Sequence, residues 1–186
     1  MAENPGIPSE IILAKLDVTA LVVLVPEAEP MVQQFRGKHD SVADGVPAHI
    51  TILFPFMPPD AIDGAAETQL RHLFASHARF DFVLADIRRF PSVIYLAPEP
   101  AQPFVTLTES VVSAYPEFLP YEGNFPDITP HLTVAHAKDQ ALLSEIERAF
   151  ATQSAESLPL KVSTDQVALM ERRNGRWRKR MTFALS

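Results

Sequence analysis

Two short runs carry the strongest constraint in this chain: Pro47-Ala48-His49-Ile50-Thr51-Ile52 and Thr129-Pro130-His131-Leu132-Thr133-Val134. Each alternates polar and apolar residues with a period of two. Each therefore reads as a strand that turns His and Thr to one side and Ile, Leu or Val to the other. The apolar side requires a packed core, and the polar side is left facing a cleft.

The surroundings of the two runs also correspond. Leu21 to Val25 is an apolar run of strand length, followed by Pro26-Glu27 and then by Met31, Val32 and Phe35 at helix-compatible positions. Later, Val93-Ile94-Tyr95-Leu96-Ala97 is followed by Pro98-Glu99 and by Phe104, Leu107, Val111 and Val112 at helical spacing. Downstream of the first motif, residues 61–77 carry Leu70, Leu73 and Phe74 ahead of a strand-like run from Phe80 to Leu84. Its counterpart is residues 141–150, with Leu142, Leu143, Ile146 and Phe150, ahead of Leu158 to Val162.

The order strand, helix, His-x-Thr strand, helix, strand thus occurs twice, with the motif histidines 82 residues apart. This is a duplication rather than a solenoid repeat. It predicts an α+β chain with a duplicated bilobal fold: two antiparallel sheets with outer helices, a central cleft and a pseudo-two-fold axis. A single two-lobed domain is expected over residues 1–186, with a first repeat at about 18–90, a second at about 91–172 and a C-terminal hairpin strand at about 176–185. Asn174-Gly175 marks that hairpin, being the dipeptide favoured in tight type I′ turns. Along the last strand Trp177, Lys179, Met181, Phe183 and Leu185 are expected on one inward-packing face.

Composition removes several classes of function. The 17 prolines lie between apolar runs, which fits many short elements rather than long helices. A net charge of −7 argues against a general nucleic-acid coat, which needs many phosphate-neutralising cations, but it leaves room for a phosphate pocket. The absence of cysteine excludes disulfides, cysteine nucleophiles and thiolate metal sites. The acidic start Met1-Ala2-Glu3-Asn4 and the charges Lys15 and Asp17 are unlike a signal peptide. No apolar run approaches the ~20 residues of a membrane helix, so a soluble cytoplasmic monomer with no membrane and no obligate protein partner is expected.

If the halves pack about a two-fold axis, His49, Thr51, His131 and Thr133 converge on one site. Two histidines suit a phosphodiester, since one can accept a proton from the nucleophile while the other protonates the leaving oxygen. The threonine hydroxyls can donate hydrogen bonds to non-bridging phosphate oxygens. No metal or other cofactor is required. Taken singly, a His-x-Thr in a strand is weak evidence, since a lone His is more often structural or exposed than catalytic, and it is the matched pair that carries weight.

With the flanking Leu53-Phe54-Pro55-Phe56 and Ala135, these motifs closely resemble the two-histidine phosphoesterase superfamily, and within it the 2′-5′ RNA ligase-like group. The likeness covers most of the chain. It implies a catalytic set of His49, Thr51, His131 and Thr133, and a cleft for a 2′,3′-cyclic phosphate or related cyclic or 2′-5′ phosphodiester of a nucleotide or RNA end. It also implies that the same site can run in reverse as a 2′-5′ RNA ligase. The alternative is a non-catalytic module that captures nucleotide or RNA ends in the same cleft. A zinc-type site is a poor fit for two histidines on separate strands without a nearby carboxylate pair.

One departure stands out. Many relatives carry arginine five residues after the second histidine, where this chain has His136. Strict alternation puts His136 on the face opposite His131, although strand-end twist loosens that assignment. It is either a phosphate-facing substitute or an ordinary strand-end residue. Phe54 holds the corresponding place after the first motif, and it or Phe56 either stacks on a nucleobase or fills core. Tyr95 is equally open. Phe35, Phe74, Phe82 and Phe150 are expected in the core, and His39, His72 and His77 on the surface. Arg172, Arg173, Arg176, Arg178, Lys179 and Arg180 flank the hairpin turn, as a guide for a polynucleotide or as a solvated edge.

Overall fold

Apolar alternation and proline punctuation produce eight strands and four α-helices among the described residues. The computed structural model describes residues 17–39, 45–124 and 127–186. In chain order the elements are β1 (Val18–Leu24), α1 (Glu29–His39), β2 (His49–Leu53), α2 (Gly64–Ala75), β3 (Phe80–Phe90), β4 (Val93–Glu99), α3 (Gln102–Ala114), β5 (Leu132–His136), α4 (Gln140–Ser154), β6 (Leu160–Thr164), β7 (Gln166–Arg173) and β8 (Arg176–Ala184).

The helices start where short side chains can satisfy free backbone donors. Asp63 accepts from the Ala66 amide at 2.8 Å to begin α2, and Asp139 accepts from the Leu142 amide at 2.7 Å to begin α4. Each helix buries one stripe. Val32 and Phe35 of α1, Leu70 and Phe74 of α2, Phe104, Leu107 and Val111 of α3, and Leu143, Ile146 and Phe150 of α4 all join one core with Ile50, Ile52, Leu132 and Val134 of the motif strands. A fully buried Ile or Leu of this kind contributes about 1.5–3 kcal/mol. Edge-to-face ring contacts lock the helices on, for instance Phe35 against Phe150 with centroids 5.3 Å apart. Phe35, Phe74, Phe82 and Phe150 are core residues, as their spacing suggests.

The sheet departs from expectation. All eight strands form one antiparallel sheet in the order β6-β3-β4-β5-β2-β1-β7-β8, not two sheets. Two separate sheets would leave β2 and β5 as unpaired edges, whereas here they pair directly through Ile50 and Leu132. β3, which follows the first motif in the chain, pairs with β4 and β6 on the side of the second motif. The sequence order of elements recurs, but the sheet is not two repeats laid side by side.

β7 and β8 join through Asn174 (φ +52°) and Gly175 (φ +76°), the two left-handed residues of a type I′ turn. The last strand does not keep one face, because a bulge falls opposite Leu169 and Met170. Phe183 and Leu185 enter the helix-side core, while Trp177 packs on the opposite face with Ala20, Val22 and Met170. One extra residue in a strand reverses the facing of everything beyond it.

Candidate active site

The single pairing of Ile50 with Leu132 fixes the site. In antiparallel register it sets His49 across from Thr133 and Thr51 across from His131, all on the face away from the helices. Directly opposed side chains stand about 4.5–5.5 Å apart at Cβ, so the four polar groups form a compact block at the centre of the sheet. The structure thus brings together the four residues singled out by the two motifs.

Both imidazoles are held the same way. His49 Nδ1 lies 2.7 Å from the Pro47 carbonyl oxygen and His131 Nδ1 lies 2.8 Å from that of Thr129. A carbonyl only accepts, so each Nδ1 carries the proton and donates it, leaving each neutral ring with an unprotonated Nε2 turned to the site. The segment leading to His49 is pinned from α1. Glu29 Oε2 accepts from the Ala48 amide at 2.5 Å, and Arg36 donates to the Val46 carbonyl at 3.0 Å.

Surroundings hold both rings neutral. Burial pushes His49 down to about 4, with the charges of Arg36 and His131 adding to the effect and the Pro47 carbonyl opposing it. Burial also lowers His131, against the pull of the Thr129 carbonyl, and the neighbouring His136 lowers it further. His131 sits in an aromatic corner, with its ring centroid 5.2 Å from Phe90 and 5.5 Å from Tyr95, both edge-on. Phe90 and Tyr95 stack on each other at 4.3 Å.

Two matching bulges decide what lies beside this block. Leu21 pairs with Leu53 and Val22 with Thr51, so Ile52 is an extra residue in β2. Ile94 pairs with Ala135 and Tyr95 with Thr133, so Val134 is an extra residue in β5. Each bulge comes three residues after its histidine. Beyond it the alternation reverses, and Phe54 and His136, five residues after their histidines, both turn to the motif face. Strict alternation fails for His136 for this reason. Phe54 packs with Ala20, Val22 and Trp177, 6.1 Å from the Trp177 ring centroid, and not in the helix-side core.

Two other residues reach this face without a signal in the sequence. Tyr121, from the long connection between α3 and β5, is held beside β2 by its backbone amide, which donates to the Phe54 carbonyl at 2.7 Å, and its phenol lies near the Thr51 hydroxyl. Arg88 stands opposite Tyr95 because β3 continues to Phe90, well beyond the Phe80 to Leu84 run, and it donates to Asp86 at 2.9 Å. Within the basic run at the hairpin, Arg176, Arg178 and Lys179 are exposed on the edge strand β8, as a solvated edge requires, while three of the arginines also serve the fold. Arg173, Arg178 and Arg180 converge on the buried Glu171, while Arg173 also reaches Asp60 and Arg180 the carbonyls of Pro59 and Ile62. These cations fasten β7 and β8 to the loop before α2. His72 is exposed and His77 half-buried, both away from the motif block, and the side chain of His39 lies outside the described residues.

Hollows of about 380 Å³ beside α1 and the end of α4, and of about 350 Å³ beside β3 and β6, touch none of the four motif residues. The motif block is an open site rather than an enclosed cavity. Among the described residues no group of three or more His, Asp or Glu is arranged to hold a metal ion, and no helix is long and apolar enough to cross a membrane.

Solved structures with this architecture include E. coli LigT complexed with 3′-AMP, which is 18% identical with a TM-score of 0.55 over 91% of this chain and 98% of that one. The complex of E. coli LigT with NADP+ is also 18% identical, with a TM-score of 0.53 over 92% and 99%. TT0787 of Thermus thermophilus is 20% identical, with a TM-score of 0.57 over 90% and 97%. At these identities the likeness shows the fold. No curated protein sequence matches. The family model of the 2′-5′ RNA ligase superfamily matches residues 24–176, most of the chain and both motif strands, and the protein belongs to that superfamily.

Proposed function

We propose that the protein is a metal-independent phosphoesterase that opens a 2′,3′-cyclic phosphate, or a related cyclic or 2′-5′ phosphodiester, at a nucleotide or RNA end. One observation carries the reading: two Nδ1-anchored histidines lie diagonally across one pair of adjacent strands, each flanked by a threonine hydroxyl. That arrangement offers a base and an acid on either side of a phosphorus atom. Complexes of E. coli LigT with 3′-AMP and with phosphate support a nucleotide phosphate as the occupant.

His49, the ring held at about 4, acts as the base. Its Nε2 takes a proton from water as the water oxygen bonds to phosphorus. His131 acts as the acid, giving a proton from Nε2 to the ribose oxygen as the P–O bond breaks. Both rings are neutral in the free protein, so His131 must gain its proton in the complex. The phosphodiester anion favours that protonated form. Thr51 and Thr133 donate to the non-bridging oxygens, where negative charge grows. Phe54 lies under the base and His136 beside the phosphate. The reverse sequence joins a cyclic phosphate to a hydroxyl, which is the ligase direction.

Incubation with 2′,3′-cyclic nucleotides and a chelator tests this reading. Turnover to a single monophosphate isomer is expected. Unaltered substrate bound tightly in calorimetry would instead establish a capture module, and turnover lost on chelation would remove the metal-free mechanism.

A further inference from the structure

His49 and His131 share a ring anchor, but the peptides that supply it differ by a hydrogen. The carbonyl oxygen bonded by His49 Nδ1 belongs to the Pro47–Ala48 peptide, whose nitrogen is an N–H donor. The oxygen bonded by His131 Nδ1 belongs to the Thr129–Pro130 peptide, whose nitrogen is that of a proline and has no hydrogen to give.

On the β2 side the donor is used. The Ala48 amide donates at 2.5 Å to Oε2 of Glu29, which stands in the first turn of α1. One peptide is therefore bonded at both ends, by a carboxylate on its N–H and by the imidazole on its C=O. The peptides on either side are fixed as well. Arg36 donates to the Val46 carbonyl at 3.0 Å, and the Val25 amide donates to the Ala48 carbonyl at 2.8 Å. Arg36 is buried and lies 3.9 Å from Glu29 Oε2, so the carboxylate is steadied by a cation from its own helix.

We propose that Glu29 is a positioning residue for His49, acting through the Pro47–Ala48 peptide much as the carboxylate of a serine-hydrolase triad acts on its histidine by direct contact. A peptide is one resonant unit. An anion that accepts from its N–H shifts electron density onto its carbonyl oxygen, and that oxygen then accepts more strongly from Nδ1–H, each bond reinforcing the next. The strengthened bond fixes the tautomer that leaves Nε2 open to a proton, and it stabilises the imidazolium once the proton has arrived. A base needs both. An acid gives up its charge as it acts, and the His131 peptide, ending in proline, offers no such support. The kinetic consequence rests on the phosphodiester reading, whereas the hydrogen bond itself does not.

Glu29→Gln is the test, because glutamine keeps an acceptor for the Ala48 amide and removes the charge. In proton NMR of the unliganded protein, the His49 Nδ1–H resonance should move upfield while that of His131 stays in place. With 2′,3′-cyclic AMP, kcat should fall about fivefold, the step from a charged to a neutral hydrogen bond, with KM and Tm little changed. In an Ala48→Pro background, which removes the amide, Glu29→Gln should cost nothing further. An unmoved His49 resonance overturns the proposal. So do equal shifts at both histidines, a fall in kcat that follows a fall in Tm, or an undiminished effect beside Ala48→Pro. The two claims fail separately. Without turnover of the cyclic substrate, a shift confined to His49 upholds the relay and removes the reaction; with turnover, an unmoved resonance removes the relay alone.

Discussion

The β2 and β5 halves of the site share a backbone plan and differ in what that plan carries. Each has a histidine tied through Nδ1 to the carbonyl two residues earlier, a threonine two residues later, and a bulge at the third residue that swings the fifth onto the same face. On the β2 side that fifth residue is Phe54, seated with Val22, Met170 and Trp177. On the β5 side it is His136, close enough to His131 to disfavour a second proton there, with Tyr95 and Arg88 on the next strands. The shared features are those that a reaction at phosphorus needs twice. The differing ones give the site a direction, with an apolar shelf at one end and polar, basic groups at the other. On the proposed reading, a substrate with one flat base and one phosphate has a single favourable way to lie.

The sharpest test of the shared half of this comparison is removal of each histidine. His49→Ala and His131→Ala should each lower kcat/KM by roughly 10²–10⁴-fold, the range of one general acid or base, while circular dichroism and Tm remain native. The double variant should lose far less than the product of the two, because both act in one transition state. Near-full activity in either single variant breaks the equivalence of the two strands.

The differing half is tested next, with a smaller effect. Phe54→Ala should raise KM for a 2′,3′-cyclic nucleotide by about tenfold, the low end of one base stacked on an aromatic ring. KM for a cyclic phosphate lacking a base should be unchanged. Equal losses on both substrates would mean that Phe54 supports the fold, through its contact with Trp177, and not the base.

These residues also show where the sequence speaks and where it is silent. Period-two alternation makes His49, Thr51, His131 and Thr133 legible, because facing within a short strand depends only on parity. The same parity rule misplaces His136, since a bulge adds a residue without changing composition, and Ile52 and Val134 look like any strand residue. Joining β2 to β5 in one sheet depends on long-range pairing, for which neither strand carries a local mark. Tyr121 is less legible still. It lies in a connection without periodicity, and only a left-handed turn at Tyr121 and Glu122 and its bond to Phe54 bring it near Thr51. The basic run is legible as an exposed edge, but the pairing of Arg173, Arg178 and Arg180 with Glu171 is not, because that partner is buried between them.

The smallest effect bears on the difference between the fifth residues. His131 is lowered chiefly by burial and further by His136. A proton on His136 disfavours one on His131, so His136→Ala should raise the His131 pKa by the share that charge supplies, leaving it below the ordinary 6.5 because burial remains. His136→Arg makes the charge permanent and should lower His131 further. The sign follows for the reaction. Since His131 must be protonated to act as the acid, the alkaline limb of kcat/KM, which reports the free enzyme, should move to higher pH in His136→Ala and to lower pH in His136→Arg. Ring-proton NMR titration of His131 in the unliganded protein reads the shift directly, with His49 as an internal reference held near 4 by its own burial and Arg36. A His131 titration that ignores both substitutions would mean that His136 faces solvent despite the bulge, and the β5 side would then owe its polarity to Arg88 and Tyr95 alone.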